Sequence, residues 1–520
     1  MEKFNLKEAK GITLVALVIT VIILLILAGV ALSLVIGENG LIAKSKQGVG
    51  VYKQSAENET EQLGSFEEEF TNLQQPKFTT VANAPDIRGF NKNNTYYVAW
   101  DTTSSPYNIN ESTKISGIAP SNWYDYTEGV NKWANVKTTG GGNDCYWVWI
   151  PRYAYKVPTK GNTAETIEIK FLQGKTKIPI GETEEITNTT PTPGTWVVHP
   201  AFTNEGNGGL GELTGIWVAK YEASSSQVGT INLENGELTG DTDSLNGNGG
   251  GQDTNLQVRV KPNVTSWRGI NVNGMFTVCR NLTETGNSLV GSSNLDSHMM
   301  KNTEWGAVAY LSSSKYGKTD KNGNRVRVYN NPYYNNTTNY SPITGLCGKG
   351  ENKQCLSTTN LAETCKYNEA GGENASTTGN VYGMYDVGGG NYERVAAYVN
   401  NGHANITGNG GELATCVAKY KDVYSVGSSD SLANNYAVST PANGHYGDAV
   451  YETCAETINT STYASSWHSD RSYFPYSSFL FFVRGGGYLD SSNVGVFYFS
   501  NSDGVAYNHY GFRVVVTVLK

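Results

Sequence analysis

The sequence predicts an α+β fold in which a long N-terminal apolar helix precedes a loop-rich head built from short strands. Three observations carry that prediction. Ile12 to Ile36 run twenty-five positions without a charge. Gly (59) and Tyr (33) are abundant, which suits many turns between short strands. Charged residues are only 17% of the 520, too few for a protein of long solvated helices.

The first element is the apolar run. At about 1.5 Å per residue a helix of that length would cross a bilayer with some tilt. Lys3, Lys7 and Lys10 precede it and should hold the N-terminus on the cytoplasmic side, leaving the head outside. A removable signal peptide fits poorly, because the small-residue triplet Ala31-Leu32-Ser33 lies inside the run rather than after it. The wording Lys10-Gly11-Ile12-Thr13-Leu14-Val15 resembles a type IV prepilin leader. That resemblance implies a cut between Gly11 and Ile12, methylation of the new terminus, and as partners the membrane, a prepilin peptidase and other pilins. It makes residues 1–11 the leader and 12–75 the assembly helix with its extension. One departure stands out: pilins usually carry Glu at the fifth mature position, which here is Ala16. That speaks against a bulk fibre subunit and for a minor, tip or merely anchored one. A plain signal anchor is the alternative reading. Leu63, Phe66, Phe70 and Leu73 then recur at helical spacing among Glu61, Glu67, Glu68 and Glu69, an amphipathic extension that ends at Gln74-Gln75-Pro76.

Residues 76–214 form the first part of the head, with insertions. Trp147 to Tyr153 reads as a buried strand ending at Pro151, and Asn188 to Gly194 as an exposed loop. Two Gly-Lys-Thr triplets, at Gly174 and Gly317, carry Ile169 and Ser312 where a phosphate loop needs glycine, and are rejected as such.

From residue 215 to 520 four landmarks follow in order. They are Gly215 to Glu222, Lys301 to Ala309 around Glu304-Trp305, Gly379 to Glu393, and Val483-Arg484-Gly485-Gly486-Gly487-Tyr488 closed by Gly511-Phe512-Arg513. This order resembles the formylglycine-generating-enzyme (sulfatase-modifying factor) family and implies its C-type-lectin-like fold. Arg484 and Arg513 should pair with acidic or carbonyl groups beneath the surface, with Asp386 and Glu393 as candidates. The family's oxidative chemistry uses copper held by two cysteines between the last two motifs, and a thiolate pair is what Cu(I) selects. The interval Gly485 to Phe512 contains no cysteine, the nearest upstream being Cys416 and Cys454. No catalytic or metal-ligating set is therefore assigned. The six histidines show no metal spacing, and His468 beside Asp470 reads as a surface pair. No cofactor is expected; calcium, which the fold family often holds, has no ligand spacing here.

The net charge of −8 is scattered, so no nucleic-acid partner is expected. Seven cysteines include no C-x-x-C pair. Cys347, Cys355 and Cys365 are positioned to staple a local loop, or stay reduced and buried.

The segment 487–510 is crowded with Tyr, Ser, Asn, Asp and His and lacks Lys, Glu, Gln, Met and Trp. Tyr gives rigid amphipathic contact area, while Ser, Asn and Gly give adaptable hydrogen bonds, the chemistry of a paratope. The segment resembles the variable region of diversity-generating retroelement target proteins. That resemblance implies varied, ligand-contacting positions at Gly487, Leu489, Asp490, Tyr498, Ser500, Ser502, Asp503, Val505, Tyr507, His509 and Tyr510, with Val496 and Phe497 in the core. The functional expectation is a pilin-anchored adhesin or receptor-like protein at the cell membrane, its extracellular head binding a protein or glycan. The alternatives are a minor pilin or pseudopilin with a structural head and, less well supported, a formylglycine-type oxidase.

Overall fold

The computed structural model describes residues 14–36, isolated positions between 44 and 59, and most of the head. In the head these are residues 81–140, 143–161, 165–226, 230–231, 238–239, 251–283, 294–328, 331–332, 343–348, 354–355, 364–455, 458, 465–487, 490 and 493–519. The chain divides into two units, Met1–Gln75 and Pro76–Lys520. The first contains helix α1 (Leu14–Ile36). Among the described residues no helix is long and apolar enough to cross a membrane, which corrects the expected membrane-spanning helix. Gly11, Ile12 and the amphipathic positions Leu63, Phe66, Phe70 and Leu73 lie outside the described residues.

The second unit is dominated by sheet. Its principal strands are β1 (Thr95–Asp101), β2 (Asn108–Asn110), β3 (Asn135–Gly140), β4 (Asn143–Pro151), β5 (Gly215–Ala219) and β6 (Leu295–Met299). They continue with β7 (Leu346–Gly348), β8 (Thr364–Lys366), β9 (Tyr392–Val399), β10 (Asp422–Tyr424), β11 (Phe481–Arg484), β12 (Phe499–Ser502), β13 (Tyr510–Phe512) and β14 (Val514–Val518). The helices are short: α2 (Val272–Arg280), α3 (Asn302–Ser312), α4 (Asn405–Thr415) and α5 (Leu432–Val438). The expected α+β arrangement of a long apolar helix before a C-type-lectin-like domain is thus corrected to a sheet-rich head with helices of 7–11 residues. Frequent Gly and Asn break helical runs early, and the aromatic, β-branched stretches between them favour strands.

Seven strands form one sheet in the order β6-β14-β5-β4-β3-β1-β2, so strands from both sides of residue 214 share it. Residues 146–150 of β4 are all buried, as are all five of β5, which explains why the Trp-Val-Trp-Ile run lacks alternation. Trp149 faces Trp217 across the β4–β5 register, with ring centroids 5.2 Å apart. A second sheet runs β10-β9-β11-β12, with β13 also paired to β9.

The chain passes from the second sheet to the first between β13 and β14, and Arg513 sits at that crossing. It is buried and donates through Nη2 and Nε to Glu393 on β9 at 2.6 and 2.9 Å. Its remaining donors reach the carbonyls of Ala219, at the end of β5, and Tyr385 at 2.8 and 2.9 Å. One guanidinium therefore fastens both sheets. Burial alone depresses the Arg513 pKa, but the adjacent Glu393 carboxylate outweighs it and holds the group above its ordinary value. Arg484 instead donates to the carbonyls of Asp448 and Ala449, at 3.2 and 3.1 Å. Arg513→Met should cost about 3–5 kcal/mol in urea unfolding, because it strands a buried carboxylate. Adding Glu393→Gln should recover part of that loss.

A second buried carboxyl makes stability depend on pH. Glu452 accepts from Tyr155 and Tyr310 hydroxyls at 2.8 and 2.7 Å and from the Gly447 amide at 2.6 Å, and burial pushes its pKa from 4.5 up to about 7. The folded state therefore holds this proton more tightly than the unfolded chain. The stability it contributes is full below about 4.5 and is lost as pH rises through about 7. Urea midpoints measured from pH 4.5 to 7.5 should fall for the wild type, and less steeply for Glu452→Gln.

Candidate functional site

The candidate site is the loop 503–509 with the first residue of β13. The loop leaves the second sheet at β12 and re-enters at β13, beside β9, where Tyr510 pairs in register with Tyr392. Gly504 makes the turn possible: its φ is +87°, and a Cβ there would meet the Phe481 ring at 2.6 Å and Asn409 at 2.8 Å.

The loop's main chain is held almost throughout. Asn409 on α4 donates to the Asp503 carbonyl at 2.8 Å. The Val272 amide at the start of α2 reaches the Gly504 carbonyl at 3.2 Å, and Arg394 on β9 donates to the carbonyls of Gly504 and Val505 at 3.1 and 2.5 Å. The Gly269 amide donates to the Tyr507 carbonyl at 2.9 Å and Arg268 to that of Asn508 at 2.9 Å. The Tyr392 amide closes the series on His509 at 3.1 Å. Arg268 and Arg394 are both buried. Arg394 also bonds Ser502 Oγ at 2.8 Å and lies 4.2 Å beneath the Tyr510 ring. Burial lowers its pKa to about 10, which leaves it charged at neutral pH.

The side chains do the opposite of the backbone. Val505 and Tyr507 are 38% and 43% exposed, Asn508 is exposed, and Asp503, His509 and Tyr510 are half-buried. Tyr507 stacks on His509 at 5.5 Å with 15° between planes, His509 lies 4.3 Å from Tyr510, and Tyr392 lies 5.6 Å from Tyr510. Burial, then Arg394 and Arg268, hold the His509 pKa below its ordinary value, so the imidazole is neutral at pH 7. The result is a half-exposed aromatic ladder edged by Asp503 and Asn508. It offers flat apolar contact with hydrogen-bonding groups at its rim.

Of the positions proposed from sequence, Asp503, Val505, Tyr507, His509 and Tyr510 come together here. Asp490 is half-buried near Gly487, with an amide contact at 3.4 Å. Tyr498, Ser500 and Ser502 are buried, and a side chain at Gly487 would meet the Tyr392 ring at 2.5 Å. Leu489 lies outside the described residues. Val496 and Phe497 are core residues. The tethers Arg268, Arg394 and Asn409, and the ring of Tyr392, were not singled out from sequence. Arg394 directly follows the Tyr392-Glu393 end of a recognised motif, but no spacing marks Arg268. His468 is not paired with Asp470: it contacts Arg325, whereas Asp470 takes Arg327 at 2.5 Å. Among the described residues no cluster of three or more His, Cys, Asp or Glu is arranged to hold a metal.

No protein-family model and no curated protein matches the chain. Among solved structures it is similar to Treponema denticola variable protein 1, with 11% identity over 73% of this chain and 97% of that one, at a TM-score of 0.25. A likeness of that degree assigns neither fold nor function.

Loss of the Arg394 tether should loosen the loop before the head unfolds. Hydrogen bonds to a charged group are worth about 1.5–3 kcal/mol, so Arg394→Met should speed amide exchange across residues 503–509 by roughly tenfold or more.

Proposed function

We propose that this chain is a ligand-binding protein that presents Tyr507, His509, Tyr510, Val505 and Asp503 to an extracellular protein or glycan, without chemical turnover. The observation that carries the reading is the division of labour in the loop: main-chain carbonyls tied to donors from the surrounding elements, with side chains exposed or half-exposed. A loop so held loses little further backbone entropy on binding, and tyrosine adds contact area with few rotamers to freeze. The finer reading is that segment 487–510 is a diversified region. It rests on composition and on the tolerance such a tethered backbone gives to side-chain change, not on the weak structural likeness.

Two experiments bear on this. Arrayed glycans and a displayed protein library should yield at least one saturable ligand for the wild-type protein. Tyr507→Ala should weaken its capture by about 10- to 100-fold, the range of a binding hot spot, with little change in melting temperature. Tyr498→Ala should behave differently, costing about 3–5 kcal/mol in stability because its ring is buried. Capture that survives Tyr507→Ala and His509→Ala together would remove the proposed face. Sequencing the DNA around the gene tests the finer reading, which requires a near-copy of the codons for residues 480–513 that differs at adenines.

A further inference from the structure

We infer that Cys347 and Cys365 form a cross-strand disulfide that clamps the base of the excursion between β7 and β8. The two strands are antiparallel, and their register places Cys347 directly opposite Cys365. Residues directly opposed in an antiparallel pair have Cα atoms about 4.5–5.5 Å apart. That separation falls inside the range of about 4.4–6.8 Å that a disulfide accepts.

The local competitor lies close to β7 but is held in a different ladder. Cys355 sits in a separate parallel pair, opposite Pro332. Cys145, Cys279 and Cys454 are buried free thiols and Cys416 a half-buried one. The two ends of the excursion are rooted in the core. Just before β7, the Gly345 amide donates to both carboxylate oxygens of Asp386 at 3.1 Å. Just after β8, the buried Tyr367 ring lies 5.5 Å from Tyr221 and 6.0 Å from Tyr385. A bridge at 347–365 would therefore tie β7 to β8 covalently at a point already fixed to the core.

The chemistry is thiol–disulfide exchange. One cysteine thiolate attacks a disulfide oxidant, such as oxidised glutathione or an oxidoreductase disulfide, and releases one thiol of the oxidant. The second cysteine then displaces the other thiol from the mixed disulfide. Two protein thiols lose two hydrogens in total, and the oxidant leaves as two thiols.

The test is to incubate the full chain with oxidised glutathione, denature it, alkylate it, and digest with trypsin plus a glutamate-specific protease. Cuts after Lys353, Glu363 and Lys366 separate Cys355 from Cys365. The inference predicts that five of the seven cysteines alkylate and that the Cys347 and Cys365 peptides are joined, lighter than their sum by two hydrogens. Cys355→Ser should keep the link. A folded wild-type chain nicked at Lys349 or Lys353 should run as one species until reductant is added. Seven alkylated cysteines after oxidation, or a link from either residue to Cys355, would overturn the assignment.

Discussion

The fold of the head depends on the buried pair between Arg513 and Glu393. The two sheets meet at this point. They are joined by a chain that leaves β13, turns through one residue and enters β14. Arg513 is that residue, and its donors reach β9 in one sheet and the end of β5 in the other. Both charges are fully desolvated, so the arrangement is stable only as a complete set: each donor has its acceptor, and loss of either partner leaves a charge the interior cannot solvate. Because β13 is also the end of the candidate binding loop, the same pair sets where that loop comes back to the sheet.

Around that anchor, the loop 503–509 follows a second physical rule. Donors from β9, α2, α4 and the chain before α2, Arg268 and Arg394 among them buried, take its carbonyls, so the path of the loop depends little on the side chains it carries. Except at Asp503, the interactions that hold the backbone and those available to a ligand use different atoms. An ordinary polar loop would spend its own Asp, Asn and Ser side chains on holding its shape. Here Asp503 does so, accepting from the Val505 amide at 3.1 Å, and Ser502 at the loop's start accepts from the Gly504 amide at 3.1 Å.

Much of this was legible in the sequence, and the failures have physical causes. The Trp-Val-Trp-Ile run announced a buried strand, and the Gly-Phe-Arg ending pointed to an arginine paired with acidic or carbonyl groups beneath the surface. Glu393 was one of two candidates named for it. Composition marked 487–510 as a segment of adaptable contact residues, but composition has no direction. Tyr498, Ser500 and Ser502 have the same chemistry as Tyr507 and Asn508, yet Tyr498 just before β12 and the two serines within it are buried. The tethers were invisible because Arg268 and Arg394 lie far away in the chain and act on main-chain carbonyls, which leave no mark on the loop's own sequence. At the other end, an uncharged run of residues showed that a helix should form. It did not establish a span, and among the described residues no membrane-crossing helix is present.

The most direct measurement of the central claim is a comparison of two libraries, each scored for protease-resistant folding on a display system. One randomises Val505, Tyr507, Asn508 and His509; the other randomises Tyr498, Ser500, Ser502 and Gly504. If the backbone of the loop is held from beneath, most members of the first library fold and few of the second do. Equal losses in both would show that the outward side chains help hold the loop, and would contradict the account of a tethered binding face.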